Sequence, residues 1–188
     1  MTSLAGAWRW YEAVRRQATL TRRLVGVHWD ELPWPGRFGR DPHFRDLDPL
    51  RAGEDAEYVV GQLADLAVMV LFSVFEAMVR DVVLAAARPE AERLTNPALR
   101  AAAADALDAI AEGSFFRVLA PFKIDGHADL VEEVNQVRRY RNWVAHGRRG
   151  DAPASVSPEA ARERLERFLS LIQPPAADPP TFPSSGTV

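Results

Sequence analysis

Arg141 and His146 are the residues whose types and spacing point most directly to chemistry in this 188-residue chain. On a helical wheel through residues 127–146, Leu130, Val134, Val137 and Val144 fall on one stripe. Position 141 completes that stripe, and it holds an arginine. A guanidinium in an apolar seam needs a partner or an opening, because burying it unpaired costs several kcal/mol or more. Glu76, which interrupts an apolar stretch elsewhere, is the obvious acid to pair with it. The alternative for Glu76 is an exposed pair with Arg80 four residues on. The functional alternative for Arg141 is a cleft in which it holds an anion. His146 lies about 140° round an ideal helix from Arg141, on the side of Arg139 and Asn142. The two side chains therefore meet only if Arg141 reaches round, if the last helical turn loosens, or if a second subunit supplies half of the site. Near a helix end a histidine can also act simply as a favourable charge on the helix dipole.

The surroundings are cationic. Between Val131 and Gly150 stand Arg138, Arg139, Arg141, Arg148 and Arg149 against Glu132 and Glu133, a local charge of +3 in a chain whose net charge is −3. Tyr140 and Trp143 interleave with these arginines. Cations alternating with aromatics suit phosphate and base contacts, although a solvated basic face has the same composition. Taken alone, the overall acidity speaks against a nucleic-acid binder. Of the 23 basic residues only Lys123 is a lysine, so arginine abundance by itself is a coding habit.

Other chemistries find little support. The chain has no cysteine, which removes disulfides, thiolate metal sites and cysteine nucleophiles. His28, His43, His127 and His146 show no close metal-ligand spacing, so no metal or other cofactor is expected. There is no glycine-rich phosphate loop. Ser73, Ser114 and Ser155 have no neighbouring histidine pattern. The first residues lack a basic start followed by an apolar run, and the longest apolar run, Leu66 to Phe72, is too short to span a bilayer. With the missing cysteines, this predicts a cytoplasmic protein.

The elements that must position Arg141 and His146 read as helices throughout. A first helix is expected over Leu4–Val27. Residues 29–53, with Pro33, Pro35, Pro42, Pro49, Gly36 and Gly39, read as a long irregular loop. A long helix should run from Glu54 to Arg88 and stop at Pro89. Its centre is apolar on every side, which marks either a central buried helix or one that also meets a second subunit. Asn96-Pro97 opens a helix that Gly113 closes. Phe115–Phe122 reads as an apolar connector. Asp125 or a neighbour caps the helix that ends at His146, with Gly147 as its natural stop. Ser157-Pro158 opens the last helix, to about Gln173. The prediction is an all-α chain: an up-and-down bundle of four to five helices forming one domain over 1–173, with its core at 54–173. Residues 174–188, rich in proline, read as a disordered tail.

The run Arg138-Arg-Tyr-Arg-Asn-Trp-Val-Ala-His146-Gly resembles the R-x4–6-H motif of the HEPN superfamily of ribonucleases, in which a polar residue, often Asn, follows the Arg. Arg141, Asn142 and His146 occupy the matching positions. Leu71-Phe-Ser-Val-Phe-Glu76-Ala-Met-Val-Arg80 is similar to a core helix of that superfamily, which makes Glu76 and Arg80 candidate supporting residues. The resemblance spans roughly 54–173. It implies a metal-independent endoribonuclease in which the RNA 2′-hydroxyl attacks the adjacent phosphorus, leaving a 2′,3′-cyclic phosphate and a 5′-hydroxyl. It also implies a homodimer with two motifs across one cleft, a role as a toxin of a toxin–antitoxin or phage-defence system, and a cognate antitoxin as a possible partner. The residue types fit that reaction. Histidine moves protons near neutral pH, and a fixed guanidinium stabilises the phosphorane. Two other classes stay open: a non-catalytic HEPN module that binds nucleotide, RNA or protein, and a helical scaffold or antitoxin whose motif is accidental.

Overall fold

The computed structural model describes residues 2–34, 36 and 38–172, with only the backbone of Phe38 and Asp125. Among these residues there is no strand, and seven α-helices carry the fold: α1 (Leu4–Val27), α2 (Pro42–Arg45), α3 (Pro49–Glu92), α4 (Pro97–Glu112), α5 (Phe115–Phe122), α6 (Ala128–Ala145) and α7 (Pro158–Ile172). The expected four to five helices are the long ones. The additional two are the single turn of α2 and the eight-residue connector α5. The proposed tail, 174–188, and the proposed cap at the side chain of Asp125 lie outside the described residues.

Local signals set the helix starts. Ser3 Oγ accepts from Gly6 N–H at 3.1 Å to open α1. Asn96 Oδ1 accepts from Ala98 and Leu99 N–H to open α4, and Ser157 Oγ accepts from Ala160 N–H to open α7. The long helix departs from expectation at both ends. It starts at Pro49, where Asp48 Oδ1 caps Leu50 N–H at 3.0 Å and the proline occupies the first helical position. There a proline starts a helix, because the donor it lacks has no helical partner anyway. The helix also passes Pro89 and ends at Glu92. A proline this close to a C-terminus removes a single helical hydrogen bond, which the remaining exposed turn tolerates. The long loop accordingly shrinks: it keeps short 3-10 turns at Trp29–Glu31 and Phe38–Arg40 and loses residues 49–53 to α3.

α3 is the spine. α1 lies along its N-terminal half, and α4, α6 and α7 pack on the rest. The core sits where α3, α5, α6 and α7 converge, with Phe75, Leu119, Val134, Leu165 and Phe168 fully buried. Phe115 meets Phe72 and Phe75 edge-on at 5.7 and 5.8 Å, and Phe168 meets Phe75 edge-on at 5.7 Å. Edge-to-face packing of this kind adds to area burial and fixes how the helices sit on one another.

The spine is not covered all round. Leu66 is 47% exposed, and Ser73 and Ala77 face outward on the same side. By length and composition α3 meets what a membrane-spanning helix requires, with a mean hydropathy of 1.9 over its most apolar window, of which 33% is buried in this fold.

Candidate functional site at the end of α6

α6 presents Val131, Val134 and Val137 to the core and carries the candidate residues on its second half. It ends through a left-handed turn. Gly147 N–H donates to Val144 O at 3.0 Å and Arg148 N–H donates to Trp143 O at 2.8 Å. Gly147 has φ +73° and Arg148 +59°. This is the helix-ending pattern in which a glycine takes the left-handed position, and it makes His146 the capping residue. The predicted stop at Gly147 is where the helix stops.

Arg141 continues the apolar stripe, as its position on the wheel requires. Its guanidinium carbon lies 5.8 Å from the centroid of the Phe72 ring of α3. Nη1 donates to Asn142 Oδ1 at 3.0 Å, and Nε is buried without a hydrogen-bond partner among the described residues. The expected pairing with Glu76 does not occur. Glu76 is taken by Arg80, one turn along α3, at 2.7 Å. Arg80 in turn donates to Ile110 O, and to Gly113 O at 2.9 Å, closing the C-terminal end of α4, and stacks over Phe115 at 5.4 Å. This pair is largely buried, with side-chain exposures of 26% and 14%, where the alternative reading placed it at the surface. Glu76 and Arg80 therefore tie α4 to α3 and form no hydrogen bond or ion pair with Arg141 or His146.

His146 is exposed, and its side chain makes no hydrogen bond or ion pair with another described residue. No hydrogen bond joins it to Arg141. The flanking cations divide into two kinds. Arg138 donates to Asn135 Oδ1 at 3.0 Å and stacks over Phe116 at 5.4 Å. Burial, and then the neighbouring Arg139, pull its pKa below the ordinary guanidinium value, with Glu132 and Glu76 acting the other way. Arg139 pairs with Glu132, and that hydrogen bond holds the Glu132 carboxyl below the usual range. Arg148 pairs with Asp65 and stacks over Trp143 at 5.8 Å. Arg149 is exposed and bonded to no described residue. Tyr140 turns its hydroxyl inward and donates to Asp65 Oδ1 at 2.6 Å. Burial first, then this hydrogen bond and the charge of Asp65, push its phenol up to about 12, with Arg148 pulling back.

Asp65 is the residue that sequence reasoning passed over. It is 9% exposed and receives both Tyr140 and Arg148. The signal was present: Asp65, Val68, Phe72, Phe75 and Val79 share one stripe of α3, the same kind of intrusion that singled out Arg141. Asn135, 1% exposed, is a second buried polar group on α6 without a sequence signal, because its position between Val134 and Gln136 breaks no pattern.

Beside the α6 terminus a groove of about 560 Å³ opens between α1, α3 and α6, with Trp10, Tyr58, Leu66, Val144 and Arg148 on its walls. Among the described residues no three His, Asp or Glu side chains converge as metal ligands. Comparison of the chain with protein families, with curated proteins and with solved structures finds no match.

Proposed function

We propose that the chain is a HEPN-type, metal-independent endoribonuclease that cleaves RNA by attack of a 2′-hydroxyl on the adjacent phosphorus, and that it acts as a toxin in a toxin–antitoxin or phage-defence system. The observation that carries this reading is the end of α6. An accessible histidine caps the penultimate helix of an all-helical chain, five residues after an arginine, and Arg149, three residues on, is exposed and bonded to no described residue. His146 moves the proton, because its imidazole can accept from the 2′-hydroxyl or donate to the leaving 5′-oxygen. Arg141 answers the charge that builds on the phosphorane. Asn142, bonded to Arg141, orients that guanidinium. Arg139 and Arg149 hold flanking phosphates.

A single histidine serves poorly as acid and base in one step, so the active form is a homodimer that brings two α6 ends together. The exposed apolar residues Tyr58, Val59 and Leu66 on α3, bordering the same groove as Val144 and Arg148, support a second copy docking on this side. A cognate antitoxin would act by covering the α6 ends.

The test is cleavage of RNA with chelator present. Wild type should cleave and leave cyclic phosphate ends, and His146→Ala should lose about a hundredfold or more, the usual contribution of a general acid–base group. Undiminished cleavage by His146→Ala, or loss on chelation, sinks the mechanism. A non-catalytic nucleotide- or RNA-binding module is favoured by one observation, the turning of Arg141 toward Phe72 and Asn142 with no bond to His146. RNA binding without turnover would establish it.

A further inference from the structure

His146 must keep its place without help from its own side chain, which bonds to nothing described in the chain. Its place is set by the turn that follows. Two successive residues there are left-handed, and the second, Arg148, is not a glycine. L side chains rarely adopt that conformation, so the surrounding structure has to impose it. Arg148 is held at three points: its N–H on Trp143 O, its guanidinium over the Trp143 ring, and its ion pair with Asp65.

Asp65 is placed to do this. It belongs to the inward stripe of α3, and its carboxylate is almost wholly buried. One oxygen accepts from Tyr140, six residues before His146, and the other pairs with Arg148, two residues after it. A buried carboxylate is retained only where such partners satisfy it. Here both partners lie on the segment that carries His146, so one acid on the spine clamps that segment from either side.

We propose that Asp65 is the positioning residue of the site: through Tyr140 and Arg148 it holds the left-handed turn after α6 and so aims His146. The proposal rests on the ribonuclease reading for its catalytic consequence, while the clamp itself is a matter of structure. A general acid–base group works only within hydrogen-bond reach of its proton, and a misplacement of about 1 Å costs about a hundredfold.

The experiment uses the full chain as wild type, Asp65→Asn and Arg148→Gln. It measures kcat and KM on a short single-stranded RNA oligonucleotide, and backbone order at residues 146–149 by NMR relaxation. Asp65→Asn is expected to melt cooperatively, to lose about a hundredfold in kcat with KM little changed, and to let order parameters in the turn fall below about 0.6. Arg148→Gln, altered at a side chain 46% exposed, should loosen the same turn and lower kcat. It decides the matter if Asp65→Asn does not fold. A turn that stays rigid in both variants overturns the proposal, and so does an unchanged kcat in a loosened turn. If wild type cleaves no RNA, the ribonuclease reading falls, and loosening of the turn in Asp65→Asn still upholds the clamp.

Discussion

Around His146 the side chains divide by what they are free to do. Arg149 and His146 are exposed and bonded by their side chains to no described residue, whereas Tyr140 and Arg148 spend their polar groups on Asp65. This division has a measurable consequence at alkaline pH. Tyr140 titrates at about 12 in the folded chain against 10.0 for a free phenol. Between these values the unfolded chain has released a proton that the folded chain keeps, so stability must fall as pH rises through the window. The stabilisation is complete below pH about 10 and is lost by pH about 12. Spectrophotometric titration should show one tyrosine ionising last, and Tyr140→Phe should remove that component. The alkaline loss of stability should be steeper in wild type than in Tyr140→Phe; equal slopes would show that neither burial nor the bond to Asp65 raises this phenol. Arg141 offers a second test at this scale. Arg141→Lys keeps the charge and loses the planar fork, so if the guanidinium serves the phosphorane, cleavage should fall by about 10²-fold or more, with RNA affinity affected less.

At the scale of the element, α6 depends on how it ends. Gly147 occupies the left-handed capping position, and an added Cβ would meet no atom within 4 Å. The cost of Gly147→Ala is therefore backbone strain alone, about 1–2 kcal/mol. Thermal unfolding should report it, and an unchanged melting temperature would mean the turn rearranges freely. Most element boundaries were legible from local chemistry. Leu4–Val27, the Asn96-Pro97 start, the Gly113 and Gly147 stops and the Ser157-Pro158 start follow from caps and breakers whose effect spans one turn. The ends of α3 were not, for a related reason. A proline reads as a breaker wherever it stands, yet its effect depends on position: Pro49 begins the helix, and Pro89 sits too near the end to stop it.

At the scale of the molecule, the proposed dimer would use the exposed apolar side of α3 and would bring a second His146 to the site. Light scattering should give twice the mass of one chain. Leu66→Arg, at a site 47% exposed in the single chain, should keep the helical content, split the dimer and abolish cleavage. A monomeric wild type that still cleaves RNA would remove the two-motif scheme. Salt offers an independent check on the flanking cations: affinity for single-stranded RNA should weaken with a log–log slope of about −0.7 for each phosphate held, and Arg149→Ala should lower that slope by about one such step.

By itself the sequence determined the helical class, most of the helix boundaries, and the oddity of an arginine in an apolar stripe next to a histidine at a helix end. These are short-range properties, written in periodicity and in capping residues a few positions apart. Only the tertiary structure decided which charge meets which. Glu76 stood out as the acid for Arg141, but a neighbour one turn away captured it, since Arg80 needs no chain closure to reach it. Asp65 found Tyr140 and Arg148 across 75 and 83 residues. Partners that far apart are chosen by how α6 lies on α3, and that depends on the packing of Phe72, Phe75, Val134 and Val137 between them.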